Sequence, residues 1–166
     1  MASGSFAAPT AVPTDAPGAA PTGGVQKRAL TQQSYADFQI SDGTAGDALN
    51  EVMQKFPIDM NNLASVSAAD QKVISDSRQV AESAETDAFN PAIEAASGAD
   101  ATALQNGKIK NKVLKLQLEV MDLMISQAQG EDNQAKIDEE MKKLNNNIAT
   151  DKKNAGQASQ SVQFNG

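Results

Sequence analysis

Apolar residues recur every three or four positions through most of the chain, the spacing that places them on one face of an α-helix. The first predicted helix begins after Thr44, whose side chain can cap it, and stops at Pro57. A second begins at the capping box Ser67-Ala-Ala-Asp and is interrupted at Asn90-Pro91. A short helical turn through Ile93 follows this break.

The third predicted helix is the longest, and it ends near Gln129, where Gly130 favours a left-handed stop. Its start has two candidates. Asp100 can cap it, but Gly107 costs about 1 kcal/mol inside a helix, which favours a start near Lys108. Two adjacent apolar stripes form a wide arc, so this helix should lie centrally and contact several neighbours. The stripes are Ile109, Val113, Leu116, Val120 and Leu123, and Leu114, Leu118, Met121 and Ile125.

The fourth predicted helix has one narrow apolar stripe, the pattern of a helix that packs along a single seam. Asp132 is its expected cap, and Val162 and Phe164 beyond it are candidates for docking on the domain. The stripe is Ile137, Met141, Leu144 and Ile148. Amphipathic helices joined by short links predict an all-α fold, an antiparallel bundle of about four helices.

The helical pattern is absent from residues 1–28, which are rich in Pro, Thr and Ala and end in the basic pair Lys27-Arg28. Prolines at intervals of four and few large apolar residues predict a disordered segment. A basic pair in an extended strip suits a processing protease of the secretory pathway, although such pairs also arise by chance. The sequence therefore predicts a pro-segment at 1–28, a cut before Ala29, and a helical domain at 29–166.

Composition narrows the chemistry that this chain can perform. It contains no Cys, no His and no Trp, so it lacks a thiol nucleophile, the usual neutral-pH acid–base catalyst and the commonest metal ligand. We therefore predict no enzymatic activity, no cofactor and no metal. The net charge of −7 disfavours nucleic acid and anionic membranes as partners. The sequence contains no apolar run of about 18 residues, so we predict no transmembrane segment.

Two charged clusters have a solvent-exposed face as their simplest interpretation. Asp138-Glu139-Glu140 is expected to lie on the outer face of the fourth helix. The only basic cluster is expected to pack near the acidic residues of the second helix rather than form an anion site. It contains Lys108, Lys110, Lys112 and Lys115, and the acidic residues are Asp76, Glu82, Glu85 and Asp87.

The methionines of the third and fourth helices allow a second interpretation of the core. Methionine adapts to irregular shapes and suits an apolar guest. A stripe of this kind can be ordinary core, or it can border a cavity for a lipid such as a fatty acid. The residues that would border it are Leu116, Val120, Met121, Met124 and Met141.

Two stretches carry a resemblance to a known class of proteins. One is Ser34-Tyr-Ala-Asp-Phe-Gln-Ile-Ser-Asp-Gly43, and the other runs from Ala88-Phe-Asn-Pro through Lys-Val-Leu-Lys-Leu116. They resemble the cysteine-free small secreted proteins of filamentous ascomycete fungi, some of which lie in the conidial cell wall. This resemblance implies a secreted or wall-associated protein and transfers no catalytic residue.

Two functional hypotheses follow from the sequence. The first is a non-enzymatic secreted helical protein of the fungal cell surface or spore wall. It would act by covering the surface or by contacting cell-wall components or host surface molecules. The second is a carrier of apolar small molecules in the bundle core.

Overall fold

The computed structural model describes residues 29–166, and the predicted pro-segment with Lys27-Arg28 lies outside them. About 68% of the described part is helical and almost none of it is sheet, which confirms the all-α bundle. Its α-helices are α1 Tyr35–Phe38, α2 Ala48–Lys55, α3 Ala68–Ala84, α4 Asn90–Ala95, α5 Gly98–Ala128 and α6 Gln134–Lys153. A 3-10 turn spans Leu63–Ser65. The two-residue strands β1 Gly43–Thr44 and β2 Ala158–Ser159 pair antiparallel, with Gly43 opposite Ser159.

The long helix α5 lies at the centre of the fold, as its wide apolar arc predicts. Helices α3 and α6 pack along it and contribute its largest contact surfaces. The α3 helix runs antiparallel to α5, because Gln71 near the start of α3 donates to Asp122 near the end of α5 at 2.9 Å. Farther along, Asn111 of α5 donates to the carbonyl of Ala81 near the end of α3, also at 2.9 Å.

The predicted break before Pro91 takes the form of a widened helical turn. A π-helix spans Glu85–Phe89 between α3 and α4. Proline lacks an amide hydrogen, and its ring collides with the carbonyl four residues earlier, so the regular hydrogen-bond ladder cannot continue through it. The extra residue in the π turn accommodates this change, and the Phe89 side chain is completely buried there.

Three predicted helix starts are wrong. Helix α2 begins at Ala48, and Thr44 belongs to β1 rather than to a cap. The carboxylate of Asp151 in α6 accepts from the amides of Gly46 and Ala48, each at 3.0 Å. A residue distant in sequence therefore stabilises the amino end of α2, and local sequence patterns do not show such a partner.

The other corrected starts concern α5 and α6. Helix α5 begins at Gly98, ahead of both Asp100 and Lys108, so Asp100 lies in its first turn. Helix α6 begins at Gln134 with Asn133 in the N-cap position, one residue after Asp132.

Gly107 lies inside α5 because the carboxyl-terminal segment crosses the helix at that point. The amide of Gln160 donates to the carbonyl of Ala103 at 3.0 Å. A Cβ at position 107 would lie 2.9 Å from the carbonyl carbon of Gln160 and closer still to its oxygen. The free-energy cost of glycine in the helix is thus offset, because the missing side chain allows the backbone of the segment that contains β2 to approach closely.

The carboxyl-terminal residues dock on the bundle, as the sequence predicts. Val162 and Phe164 are partly buried against the core. The ring of Phe164 meets that of Tyr35 edge to face, with centroids 6.0 Å apart. The last residues of the domain therefore contact its first helix.

We expect Gly107→Ala to destabilise the protein by about 1–3 kcal/mol, because the added methyl group forces the backbone at Gln160 away from α5. The direction of this change in stability is informative, since Gly→Ala in an ordinary helix stabilises by about 1 kcal/mol. Urea denaturation measures the difference. The control is Gln105→Ala at an exposed position of the same helix, which should change stability by less than about 0.5 kcal/mol. A stabilised Gly107→Ala variant would contradict the close approach of the Gln160 backbone to α5.

Candidate functional site

The first candidate site is the segment of residues 29–33, called the strap below, which lies along the start of α3. The amide of Leu30 donates to Asp70 Oδ1 at 3.0 Å. Farther along, Gln32 Nε2 donates to Asp76 Oδ2 at 2.9 Å. Leu30 is partly buried and packs against the core, whereas Ala29 is exposed. The strap is therefore attached through one backbone bond, one side-chain bond and one apolar contact.

A shallow groove of about 250 Å³ borders the strap where it passes α1, α2 and α3. Its floor contains the buried rings of Phe38 and Phe56, and Lys55 is the charged residue at its edge. Lys55 Nζ donates to the carbonyl of Asp37 at 2.6 Å. The groove thus combines an aromatic floor with one cation, close to the carboxylate that binds Leu30.

A second groove, of about 410 Å³, lies between α3, α5 and α6, and we call it the charged groove. Lys112 and Lys115 on one wall lie 3.8 and 3.3 Å from the carboxylate oxygens of Glu85. These two lysines therefore face one of the acidic residues predicted, Glu85, in the π-helix that follows α3. The lining residues are Glu82, Lys112, Lys115, Leu116, Glu119, Glu140, Lys143, Asn146 and Asn147.

Glu140 corrects the prediction for the acidic run on α6. The residue is only 6% exposed, so it does not belong to an outer face. Its carboxylate lies 3.0 Å from Lys143 Nζ and 3.6 Å from Lys136 Nζ. The hydrogen bond from Lys143 to this carboxylate raises the pKa of the Lys143 amine, so its positive charge persists at the rim of the charged groove.

Lys110 corrects the prediction for the basic cluster, because its side chain is completely buried. Its ammonium group donates to the carbonyls of Asp42 and Thr44 at 3.0 and 2.8 Å, and lies 3.0 Å from Glu51 Oε1. These contacts use all three donors of the ammonium group. They join α5 to the β1 region and to α2. Burial raises the pKa of the Glu51 carboxyl above its ordinary value, against the opposing effect of Lys110.

The helical phase of α5 contains the signal that identifies Lys110 as buried. The residue precedes Val113 and Leu114 by three and four positions, and both of these are completely buried. Residues at such spacings share a face of a helix. The predicted apolar arc therefore includes position 110, and a lysine there requires partners inside the protein.

A second buried polar contact joins α1, α3 and α5. The hydroxyl of Tyr35 donates to Asn111 Oδ1 at 2.6 Å, and Asn111 Nδ2 donates to the carbonyl of Ala81. Burial raises the pKa of the Tyr35 phenol, so the hydroxyl stays protonated and remains a donor. Both side chains serve the packing of helices, and the bond between them was not predicted from the sequence.

The five residues predicted to border an apolar cavity lie in or against the hydrophobic core. Leu116, Val120 and Met121 are buried members of it, and Met124 and Met141 are partly buried beside it. Of the five, only Leu116 lines the charged groove, where its neighbours are polar. The lipid cavity stays a prediction, with no support from the two grooves described above.

Two further properties concern residues 29–166. They contain no group of three or more acidic side chains arranged to bind a metal ion. None of their helices has the length and apolar character that a membrane crossing requires.

Comparison with known proteins gives one match. The family model described as a domain of unknown function, DUF8454, matches residues 30–163. The chain belongs to this family. The DUF8454 match begins at Leu30, the strap residue bonded to Asp70, and extends past β2. Searches of curated proteins and of solved structures found no match. The family description specifies neither activity nor location, so the resemblance to secreted fungal proteins remains a prediction.

We expect Lys110→Met to destabilise this DUF8454 domain by about 3–5 kcal/mol. The change leaves two carbonyls and the Glu51 carboxylate without their buried partner. Adding Glu51→Gln should recover part of the loss, because it removes the unpaired charge. Urea denaturation measures both variants. Lys108→Met, two positions away and partly exposed, is the matched control and should change stability by less than about 0.5 kcal/mol. Equal effects at positions 108 and 110 would contradict this account.

Proposed function

We propose that this DUF8454 protein is a non-enzymatic helical protein that a filamentous fungus secretes to its cell surface or spore wall. It acts there by covering the wall or by contacting wall components or host surface molecules. In this proposal the segment through Arg28 is removed during secretion, and the helical domain is the mature product.

One observation carries the proposal. The DUF8454 match and the first bond of the strap both begin at Leu30, two residues after Arg28. Cleavage between Arg28 and Ala29 would therefore leave the matched region intact. It would also keep every contact described above for the bundle. A basic pair placed immediately before a domain is the arrangement that a secretory processing protease requires.

The chemistry of the buried polar groups agrees with a structural role. Lys110 and Asp151 bind main-chain atoms of the β1 region and of α2, so they fix the positions of neighbouring elements. Asn111 joins three helices in the same way. These groups are engaged inside the fold and are not directed toward a ligand. The charged groove also contains exposed side chains, among them Lys143 and Asn146, that offer hydrogen bonds to a polar wall component.

The processing step predicts the amino terminus of the mature protein. When the chain is expressed behind a fungal signal peptide, we expect amino-terminal sequencing of the secreted product to begin at Ala29. The matched control is Lys27→Ala with Arg28→Ala, which should retain the preceding segment. Secretion of the wild-type chain with that segment still attached would contradict processing at this pair.

The location is tested separately by staining intact, unpermeabilised fungal cells with antibody against the domain. We expect signal at the surface of these cells and in their wall extracts. The control is a cytosolic protein stained in parallel, which should become visible only after permeabilisation. Domain signal confined to permeabilised cells would contradict the proposal.

A further inference from the structure

We propose that the carboxylate of Asp70 binds the α-ammonium group that cleavage after Arg28 creates on Ala29. Cleavage then strengthens the attachment of the strap to α3, and processing and stability of the domain become coupled. This inference rests on the processing step of the proposed function. It adds a specific acceptor for the new chain end.

The distance between the two groups follows from the bond that the strap already makes. Leu30 N lies 3.0 Å from Asp70 Oδ1. Only three covalent bonds separate the nitrogen of Ala29 from that of Leu30, so the new ammonium group lies within roughly 7 Å of the same oxygen. Opposite charges at about 4–6 Å favour each other's charged forms, and Ala29 is an exposed end that can turn toward the carboxylate.

Asp70 has the properties of an acceptor for a cation. It is 9% exposed, so water screens its charge less than that of a surface carboxylate. An ionised carboxylate offers about four acceptor positions, and the Leu30 amide uses one of them. The amide of Asp70 itself donates to Ser67 Oγ at 3.0 Å, which fixes the backbone from which the carboxylate extends.

Other charges near the strap oppose or modify this attraction. Lys55 lies on the α2 side of the groove and repels an ammonium group. The partial positive charge at the amino end of α3 also disfavours a cation, but it amounts to about half a unit charge, compared with the full charge of Asp70. Asp76, farther along α3, already pairs with Lys72 at 2.7 Å and accepts from Gln32. Asp70 is therefore the carboxylate that the hydrogen bond of Leu30 places beside Ala29.

The experiment compares purified full-length protein before and after cleavage by a protease specific for paired basic residues. Wild type and Asp70→Asn are both measured, so the ratio of the two cleavage effects isolates the interaction of the new terminus with this carboxylate. At pH 6.5 and low salt we expect a three- to tenfold coupling in the folding equilibrium constant from urea denaturation. We expect 1 M NaCl to reduce it. Asp76→Asn is the matched control and should show no coupling.

The pH dependence identifies the titrating group. An unperturbed α-amine has a pKa of about 7.7–8.0, and a nearby carboxylate raises the pKa in the folded state. The added stability is then fully present below that unperturbed range and disappears as pH rises through the folded-state pKa. We expect coupling at pH 6.5 and none near pH 10. Cleaved wild-type protein should also show stronger protection of the Leu30 amide from hydrogen exchange than uncleaved protein, when each rate is divided by the intrinsic rate of the same amide in the unfolded chain. This measurement requires no variant.

Equal cleavage effects in wild type and Asp70→Asn at pH 6.5 would overturn the inference. A coupling that persists unchanged at pH 10 would also overturn it. Weaker protection of the Leu30 amide after cleavage, relative to its intrinsic exchange rate, would do the same. These outcomes are distinct from failure of the proposed function, which is tested on the natural product. A secreted protein that starts elsewhere than Ala29 would refute the processing step, whatever the measured coupling.

Discussion

Enclosure of α5 by its neighbours is the constraint on which the rest of this structure depends. A helix that contacts α3, α6, the β1 region and the carboxyl-terminal segment leaves little of its surface to water. Each polar side chain on it therefore needs a partner inside the protein, because an unpaired buried polar group is costly. Lys110 and Asn111 meet this requirement with main-chain carbonyls from two other parts of the chain. Their bonds specify how those parts are placed around α5.

The sequence predicted the elements that depend on local spacing. The central position of α5, the interruption of the regular helix before Pro91 and the docking of Phe164 follow from periodicity, proline chemistry and apolar character, which are visible within short windows. The starts of α2, α5 and α6 and the burial of Lys110 and Glu140 were missed. Asp151 stabilises α2 from across the fold, and Lys110 binds carbonyls more than sixty residues away. Partners at such separations are not visible in a local pattern. The spacing that places Lys110 on the buried face of α5 was visible in the sequence.

The candidate site was predicted less completely than the fold. The basic pair marked a boundary, but only the structure shows that the strap after it is attached at Leu30 to Asp70. The charged groove joins side chains from three helices, two of which are far apart in sequence. The apolar residues that were considered as ligand lining belong to the packing of the core. The lipid cavity stays a prediction for this DUF8454 protein, whereas the strap and the charged groove are surface features that the structure describes.

The edge-to-face contact of Tyr35 with Phe164 holds the carboxyl-terminal segment against the first helix of the domain. A peptide could join residue 166 to Ala29 by following the strap, and new termini could be opened in the loop that carries the exposed Met60. Such a circular permutant would keep every helix–helix contact while changing the order in which the helices are synthesised.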